Sequence, residues 1–243
     1  MKLANIHCHM LYGVDDGAKD EKVMRRMIDA SYADGVRLIC FTPHHNPEYF
    51  RASLESVIRR YSEAVSYISE KYPDLIVCLG QEIYSHHDSL EELLSGKCLT
   101  LGKSKNVLLE FGPYDDKKLI FSRTTQLLTS GFIPLVAHAE RYSSLRKSKK
   151  DIQELRDLGA CIQVNAASII GRYGFMTKRF VMSLIKDGLV DVVADDCHNL
   201  TNKAPCLREA HDIVLKKFGI DVASKLFFNN PVRMLKGGKW QKQ

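Results

Sequence analysis

The 243-residue sequence lacks the features that define several other classes of protein. No apolar stretch reaches the roughly 18 residues of a transmembrane helix, so we do not expect stable membrane insertion. Residues 1–7 are too polar for a signal peptide, and we expect a cytoplasmic protein. The seven cysteines contain no CxxC pair, which indicates reduced thiols packed mostly as small hydrophobic residues.

Strong charge and low-complexity patterns are also missing. The net charge is only +6, and no run of Lys and Arg is interleaved with aromatic residues, so nucleic acid is not an expected partner. No internal repeat or linker divides the chain, and 45% of its residues are hydrophobic. We therefore predict a single domain over residues 1–243. The sequence leaves homo-oligomerisation open.

Short apolar runs alternate with amphipathic stretches along the chain. The predicted strands cover residues 3–8, 37–42, 75–80, 107–111, 133–137, 161–165 and 191–195. The predicted helices cover residues 20–34, 53–72, 117–130, 149–158, 175–186 and 205–218. This alternation indicates parallel β/α order, with an open doubly wound sheet as the main competitor to a closed barrel.

Imidazole and carboxylate side chains recur where the apolar runs end. The candidates are His7, His9, Asp16, His44, Glu82, Glu110, His138, Asp196 and His198. They follow six of the seven predicted strands, and the carboxyl ends of parallel strands share one rim. Convergence from so many strands favours a closed barrel, because an open sheet usually gathers its site at one switch point. These side chains are the ligands that two or three divalent ions need.

The first and last motifs have the same spacing. His7 and His9 lie two residues apart on a strand, so both imidazoles point to one face. Asp195 and Asp196 are both present before His198, and Asp196 is preferred because its spacing to His198 matches the first pair.

In the middle motifs, the candidate ligands are inferred from turn-forming residues and from the cost of burying a carboxylate. Asp15-Asp16-Gly17 predicts a tight turn that presents one carboxylate inward. Pro43 keeps the chain extended before His44, the favoured ligand, and His45 is predicted to support it or to face the substrate. Glu82 and Glu110 end apolar runs, where a carboxylate is costly to bury unless it is paired or binds metal.

Two cations lie close to these motifs. Arg141, three residues after His138, could hold a phosphate as a bidentate fork or orient a ligand carboxylate. Lys203 lies on the loop after the last strand, where a phosphate contact and an exposed lysine are equally compatible with the sequence. The remaining histidines, His86, His87 and His211, are predicted to lie at the surface without a metal.

Taken in order, these motifs resemble the polymerase and histidinol phosphatase (PHP) family, and more narrowly the CpsB/CapC-like metal-dependent bacterial tyrosine phosphatases. The resemblance rests on His7-Cys8-His9, Asp15-Asp16-Gly17, Thr42-Pro43-His44-His45, Gly80-Gln81-Glu82, Leu109-Glu110, His138-Ala139-Glu140-Arg141, Gly171-Arg172-Tyr173-Gly174 and Asp196-Cys197-His198-Asn199. It spans almost the whole chain. It implies a distorted (β/α)7 TIM-like barrel, the PHP fold.

The resemblance also implies an activity. The nine candidates above would bind two or three divalent ions, with Mn preferred and Fe, Co, Zn or Mg as alternatives. A metal-activated hydroxide would hydrolyse phosphotyrosine on a bacterial tyrosine kinase that regulates capsule or exopolysaccharide synthesis. Arg141 and Lys203 would offset charge on the phosphoryl oxygens, and His45 is the candidate general acid.

Two departures from the family pattern stand out. Asp195 occupies a position that commonly holds a small residue in the family, and Lys203 stands where the family tends to have an arginine. A lysine is a point donor for phosphate rather than a bidentate fork. A thiol nucleophile is not expected, because none of the seven cysteines has an arginine six residues later, as a Cys-x5-Arg loop requires.

The alternative functions are a histidinol-phosphate phosphatase or other PHP phosphoesterase, a nuclease or proofreading module, and a binding module without ions.

Overall fold

The computed structural model describes residues 2–50 and 52–236. The strands are β1 (Leu3–Asn5), β2 (Val36–Phe41), β3 (His44–His45), β4 (Ile76–Leu79), β5 (Glu82–Tyr84), β6 (Asn106–Glu110), β7 (Ile133–Val136), β8 (Cys161–Asn165) and β9 (Val192–Ala194). The helices are α1 (Glu21–Ala33), α2 (Leu54–Lys71), α3 (Ser89–Leu94), α4 (Lys117–Thr129), α5 (Lys149–Leu158), α6 (Ala166–Ile170), α7 (Phe175–Lys186), α8 (Leu207–Phe218), α9 (Ile220–Ser224) and α10 (Asn230–Leu235). A π-helical segment, Lys225–Asn229, links the last two helices.

The strands form a curled, wholly parallel sheet that closes into a barrel. Hydrogen bonding gives the orders β1-β2-β4 and β3-β5-β6-β7-β8-β9. The chain beyond β1 pairs with the chain beyond β9 through a parallel bridge between Cys8 and Cys197. The Asp196 N–H donates to the His7 carbonyl at 2.9 Å at the same seam. The predicted closed barrel is therefore confirmed, and the open sheet is not observed among the described residues.

Two of the seven predicted strands are each followed by a further short strand that was not predicted. β2 and β3 lie on either side of Pro43, and β4 and β5 lie on either side of Gly80 and Gln81. Phe41 pairs with Leu79, and three residues later His44 pairs with Glu82, so the register runs unchanged through both interruptions. Proline has no N–H to donate, which explains the break at Pro43. We call each continuous strand of the barrel a stave. With β2–β3 and β4–β5 counted as one stave each, the barrel has seven staves.

The predicted helices are all present, and most end within two residues of their predicted ends. Asp20 caps the start of α1, where its carboxylate accepts from the Val23 N–H at 2.8 Å, and Gly159, with φ 115°, caps the end of α5. The short helices α3, α6, α9 and α10 were not predicted. No described helix has the length and apolar character needed to cross a bilayer.

The core explains one wrong prediction. His211 on α8 is 2% exposed and packs edge-on against Phe227, with ring centroids 5.3 Å apart, so its predicted surface position is wrong. Besides this apolar contact, its Nδ1 lies 3.0 Å from Asp212 Oδ1. The prediction of one domain over residues 1–243 also covers Met1 and residues 237–243, which lie outside the described residues.

Candidate metal centre

The candidate ligands meet at the carboxyl-terminal rim of the barrel. His7 and His9 follow β1, His44 lies in β3, and Glu82 and Glu110 lie in β5 and β6. The remaining ligands, Asp16, His138, Asp196 and His198, lie on loops after β1, β7 and β9. His138 and Asp196 have left-handed φ values of 29° and 52°, a strained conformation that turns each side chain at the end of its strand.

Four of these residues form the deepest group. The Nε2 atoms of His7 and His9 both lie 3.1 Å from Glu82 Oε2. Both also lie 3.4 Å from Asp196 Oδ1, and they are 3.3 Å from each other. All four side chains are almost completely buried.

Two further groups share members with the first. His44 and His198 face Asp16 Oδ1 at 3.5 and 3.4 Å, and His9 lies beside them. Glu110 lies 3.4 Å from His44 Nδ1 and 3.5 Å from His138 Nε2. His138 Nε2 also lies 2.9 Å from Glu82 Oε1. The structure thus brings all nine predicted ligands into one continuous cluster.

The donor set fits divalent ions. Ligands about 2.0–2.2 Å from a common ion lie about 3.0–3.5 Å from one another, which matches most of these separations. Glu82 Oε2 and His44 Nδ1 are buried atoms without a hydrogen-bond partner, although Glu82 Oε2 lies within 3.2 Å of three imidazoles. Unpartnered polar atoms are rare in protein interiors, and a cation would satisfy both atoms here.

The imidazoles are also held in orientations suited to metal binding. Four of them direct Nε2 into the cluster while Nδ1 contacts a group of the chain. The Nδ1 partners are Gln163 Oε1 for His7, Asp15 Oδ2 for His9, the Tyr142 hydroxyl for His138 and the Asp196 carbonyl for His198. Such outer hydrogen bonds fix the tautomer and ring orientation of a metal-bound histidine.

Opposite charges compensate one another within the cluster. Burial alone would raise the pKa values of Glu82 and Asp196, but the surrounding histidines hold both pKa values well below the usual range. Burial disfavours the charged form of His138, yet its hydrogen bonds to Glu110 and Glu82 raise its pKa to about 10. Divalent ions would displace the imidazole protons, because these side chains bind metal in their deprotonated forms.

Three supporting residues were not predicted in this role. Asp15 is buried, accepts from the His44 N–H at 3.0 Å and lies 2.8 Å from His9 Nδ1. Gln163 and Asn165, on β8, connect the His138 N–H to Asp196 Oδ2 through hydrogen bonds of 2.7–2.8 Å. The only sequence signal for the two amides is a pair of polar residues, two apart, in an apolar strand.

A cavity of about 300 Å³ opens above the cluster. Its lining includes Arg141 and Lys203, as well as several of the candidate ligands. Arg141 Nη1 lies 3.4 Å from Asp196 Oδ2. Four aromatic residues, Tyr49, Phe50, Tyr84 and Phe111, also line the cavity and are called its aromatic wall below. Phe50 stacks on His44, with ring centroids 5.0 Å apart and an interplanar angle of 8°.

Two other predicted features lie outside this cavity. His45 Nε2 contacts Glu92 Oε2 at 2.8 Å and does not line the cavity, so the geometry gives no support to His45 as the general acid. Asp195 accepts hydrogen bonds from Asn5 and the Cys206 N–H rather than facing the histidines. That placement agrees with the choice of Asp196 as the ligand.

A parallel barrel with buried imidazoles and carboxylates on its carboxyl-terminal rim defines the class of metal-dependent barrel hydrolases. The family described as "Capsular polysaccharide synthesis, CpsB/CapC" matches residues 3–236, and the chain belongs to that family.

Curated relatives resemble the chain over nearly its whole length. It is 34% identical over 239 residues to tyrosine-protein phosphatase CpsB of Streptococcus pneumoniae, covering 96% of this chain and 98% of the relative. It is 31% identical over 234 residues to tyrosine-protein phosphatase YwqE of Bacillus subtilis, covering 93% and 89% of the two chains.

Solved structures extend the comparison to the fold. One, from work on YwqE of Bacillus subtilis and CpsB of Streptococcus pneumoniae, described as unique metal-dependent tyrosine phosphatases, has a TM-score of 0.91 at 28% identity. That match covers 100% of this chain and 97% of the other. The phosphotriesterase homology protein of Escherichia coli has a TM-score of 0.57 at 11% identity, covering 96% and 98%, and shares the fold.

Proposed function

We propose that this chain is a metal-dependent tyrosine phosphatase, a phosphoric monoester hydrolase. The observation that carries the proposal is the cavity above the metal centre, which combines a ligand cluster, two cations and an aromatic wall. The family membership and the names of the curated relatives support the same activity.

The chain's residues divide the work of binding a phosphotyrosine. Tyr49 and Phe50 on the aromatic wall would contact the phenyl ring, and Arg141 would hold the phosphoryl oxygens with its guanidinium group. Lys203, which also lines the cavity, would add a point charge. Both cations would stabilise the charge that develops on the equatorial oxygens during transfer.

The candidate ligands, His7, His9, Asp16, His44, Glu82, Glu110, His138, Asp196 and His198, would hold two or three divalent ions. Bound ions of this kind supply an activated water as nucleophile near neutral pH and act as Lewis acids. The leaving phenolate has a parent pKa near ~10, so it needs less protonation than an alkoxide, and no general acid is assigned.

A thiol mechanism has no support in the structure. Six of the seven cysteines are buried, and Cys78 is half-buried. Burial raises the pKa of Cys98 to about 12 and holds the pKa of Cys197 well above its usual value. The nucleophilic thiolate is therefore disfavoured at both positions.

We extend the proposal to the biological substrate and the metal. The family description supports a role in capsular polysaccharide synthesis, and we infer a phosphotyrosine-bearing bacterial tyrosine kinase as the partner. Manganese is the proposed ion because the family resemblance implies it; the four carboxylates of the ligand set suit Mn²⁺, and its five imidazoles also suit Fe or Zn. The cytoplasmic location stays a prediction from the sequence, and homo-oligomerisation stays an open question.

Phosphate release from a phosphotyrosine peptide tests the activity. We expect turnover with added Mn²⁺, loss of turnover with EDTA and no loss after treatment with a thiol-alkylating reagent. Histidinol phosphate, assayed in parallel, discriminates the main alternative, since the aromatic wall is expected to favour the phenyl ester. Faster turnover of histidinol phosphate, or chelator-resistant turnover of the peptide, would contradict the proposal.

A further inference from the structure

A second convergence of metal-binding side chains lies beside the catalytic centre. Among the described residues, His45 on β3, His86 on the loop after β5 and Glu92 on α3 bring one ligand atom each within 4.8 Å of the others. His45 Nε2 and His86 Nε2 contact the same carboxylate oxygen, Glu92 Oε2, at 2.8 and 3.0 Å. The sequence predicted a surface position for His86, but its side chain is only 19% exposed and contacts Glu92.

This group is separate from the cluster proposed to hold the catalytic ions. Successive side chains of a strand point to opposite faces, so His44 faces the barrel centre and His45 faces α3. His45, His86 and Glu92 are absent from the lining of the catalytic cavity. Their side chains are 17%, 19% and 16% exposed, which leaves them shielded but accessible to an ion from solvent.

The loop that carries His86 is held in place before any ion binds. The His86 N–H donates to Ser89 Oγ at 2.8 Å, and the Ser89 hydroxyl lies 3.0 Å from the Tyr84 carbonyl. Burial alone would raise the pKa of Glu92, but hydrogen bonding and charge from His45 and His86 lower it. The carboxylate is thus anionic, and the three side chains are preorganised.

We propose that His45, His86 and Glu92 form a second, peripheral site for a zinc-like divalent transition-metal ion, which ties α3 to the strand that carries His44. Two imidazoles and one carboxylate, with one position open to water, are a recognised ligand set for Zn²⁺. The site goes beyond the proposed phosphatase activity and does not depend on it.

The two contacts with Glu92 need only a small adjustment to accept the ion. Ligands about 2.0–2.1 Å from a tetrahedral ion lie about 3.3 Å apart, so these contacts would open by about 0.4 Å. His86 Nδ1 now accepts from the Asp88 N–H at 3.3 Å, which places the imidazole proton on Nε2. Binding through Nε2 would move that proton to Nδ1, and the weak hydrogen bond from the Asp88 N–H would be lost.

The neighbouring histidine supplies a matched control. His87 is 92% exposed, and its imidazole comes only within 4.0 Å of Asp88. Wild type, His86→Ala, Glu92→Gln and His87→Ala would be stripped with EDTA, loaded with Mn²⁺ and then titrated with Zn²⁺. Because all four proteins share the catalytic cluster, displacement of Mn²⁺ there contributes equally, and only the difference in bound zinc reports the peripheral site.

We expect wild type and His87→Ala to bind about one zinc ion per chain more than His86→Ala and Glu92→Gln, as elemental analysis would measure. Equal zinc content in all four proteins would overturn the proposal. Crystals of wild type soaked in Zn²⁺ give a second readout if the variants fail to fold. An anomalous peak between the three side chains supports the site, and its absence refutes it.

Phosphotyrosine hydrolysis with Mn²⁺ separates this proposal from the previous one. His86 lies outside the proposed catalytic machinery, so His86→Ala is expected to retain the wild-type rate with Mn²⁺. A zinc difference without phosphatase activity in any protein would remove the proposed function and leave the peripheral site standing.

Discussion

Gln163 shows how a residue without ligand chemistry supports the metal centre. Its Oε1 accepts from the His138 N–H at 2.7 Å and lies 3.0 Å from His7 Nδ1, while its Nε2 donates to Asn165. One buried amide therefore orients two histidines that follow different strands. Sequence patterns identify metal ligands by their side-chain type, and a glutamine in an apolar strand is not a typical metal ligand. Sequence analysis therefore did not single out Gln163.

Replacing this amide should weaken metal binding before it removes the fold. We expect Gln163→Leu to lower metal affinity about 10–100-fold, because outer-shell partners of metal-bound histidines have effects of that size. The buried His138 N–H loses its acceptor, which should cost about 1–3 kcal/mol of unfolding free energy. Calorimetric Mn²⁺ titration and urea unfolding measure the two effects.

Gln153→Leu is the matched control, because Gln153 is exposed on α5 and its side-chain amide donates to Asp157, which is not one of the candidate ligands. Equal Mn²⁺ affinity in both variants would refute the positioning role of Gln163.

Adjacent carboxylates mark a limit of sequence analysis at the residue scale. The Asp15-Asp16-Gly17 motif predicts a turn with one carboxylate inward, but both side chains take part. Asp15 is buried and lies 2.8 Å from His9 Nδ1, while Asp16 is 51% exposed and faces His44 and His198. The difference depends on backbone direction within the turn, which the residue types do not encode.

At the scale of elements, local patterns predict the long strands and helices better than the short ones. The six predicted helices and seven predicted strands exist because each has an apolar face that repeats over several turns or residues. α3 has only six residues, and its first residue, Ser89, hydrogen-bonds to the His86 N–H and the Tyr84 carbonyl. Sequence analysis therefore missed Glu92, and with it the partner that His45 and His86 share.

The packing of α1 against α2 gives a test at this scale. Asp29 on α1 accepts from the Tyr67 and Tyr72 hydroxyls at 2.6 and 2.9 Å and from Lys71 Nζ at 3.0 Å. Asp29→Asn keeps one acceptor and removes the charge, so we expect a loss of about 1 kcal/mol at pH 7 in urea unfolding. Asp20→Asn is the control, because it removes the same charge and asparagine still caps α1.

The same variant has a defined pH dependence. Burial alone would raise the pKa of Asp29, but the hydrogen bonds from Tyr67, Lys71 and Tyr72 lower it. A lowered carboxyl pKa stabilises the fold above the unfolded value near ~3.9, and that stability is lost as pH falls through the folded pKa. The difference between wild type and Asp29→Asn should therefore be constant from neutral pH to about 5 and shrink below about 4. A difference that grows on acidification would contradict this assignment.

On the scale of the whole molecule, the order of the motifs predicted more than any single motif did. Ligand-type residues at successive strand ends converge only if the parallel sheet closes, and the bridge between Cys8 and Cys197 closes it. β8 is the one stave without a candidate ligand, and it supplies Gln163 and Asn165 instead. The aromatic wall was not predicted, because Tyr84 and Phe111 are far from Tyr49 and Phe50 in the sequence and join them only in the folded barrel.

The convergence of so many staves on one cluster predicts that metal binding stabilises the entire barrel. His7, Glu82 and Asp196 belong to different parts of the chain, and unfolding separates them. An ion that binds only the folded state adds about 2.7 kcal/mol at a concentration 100 times its dissociation constant. For a domain of this size each kcal/mol raises the melting temperature by about 2–4 °C. We therefore expect EDTA to lower the melting temperature by about 5–10 °C for each ion removed, and Mn²⁺ to restore it.

Asp196→Asn, which keeps the shape of the side chain but removes a ligand charge, should show a smaller shift with EDTA. Scanning calorimetry with and without chelator measures both proteins, and equal shifts in the two would show that Asp196 does not couple metal binding to the stability of the barrel.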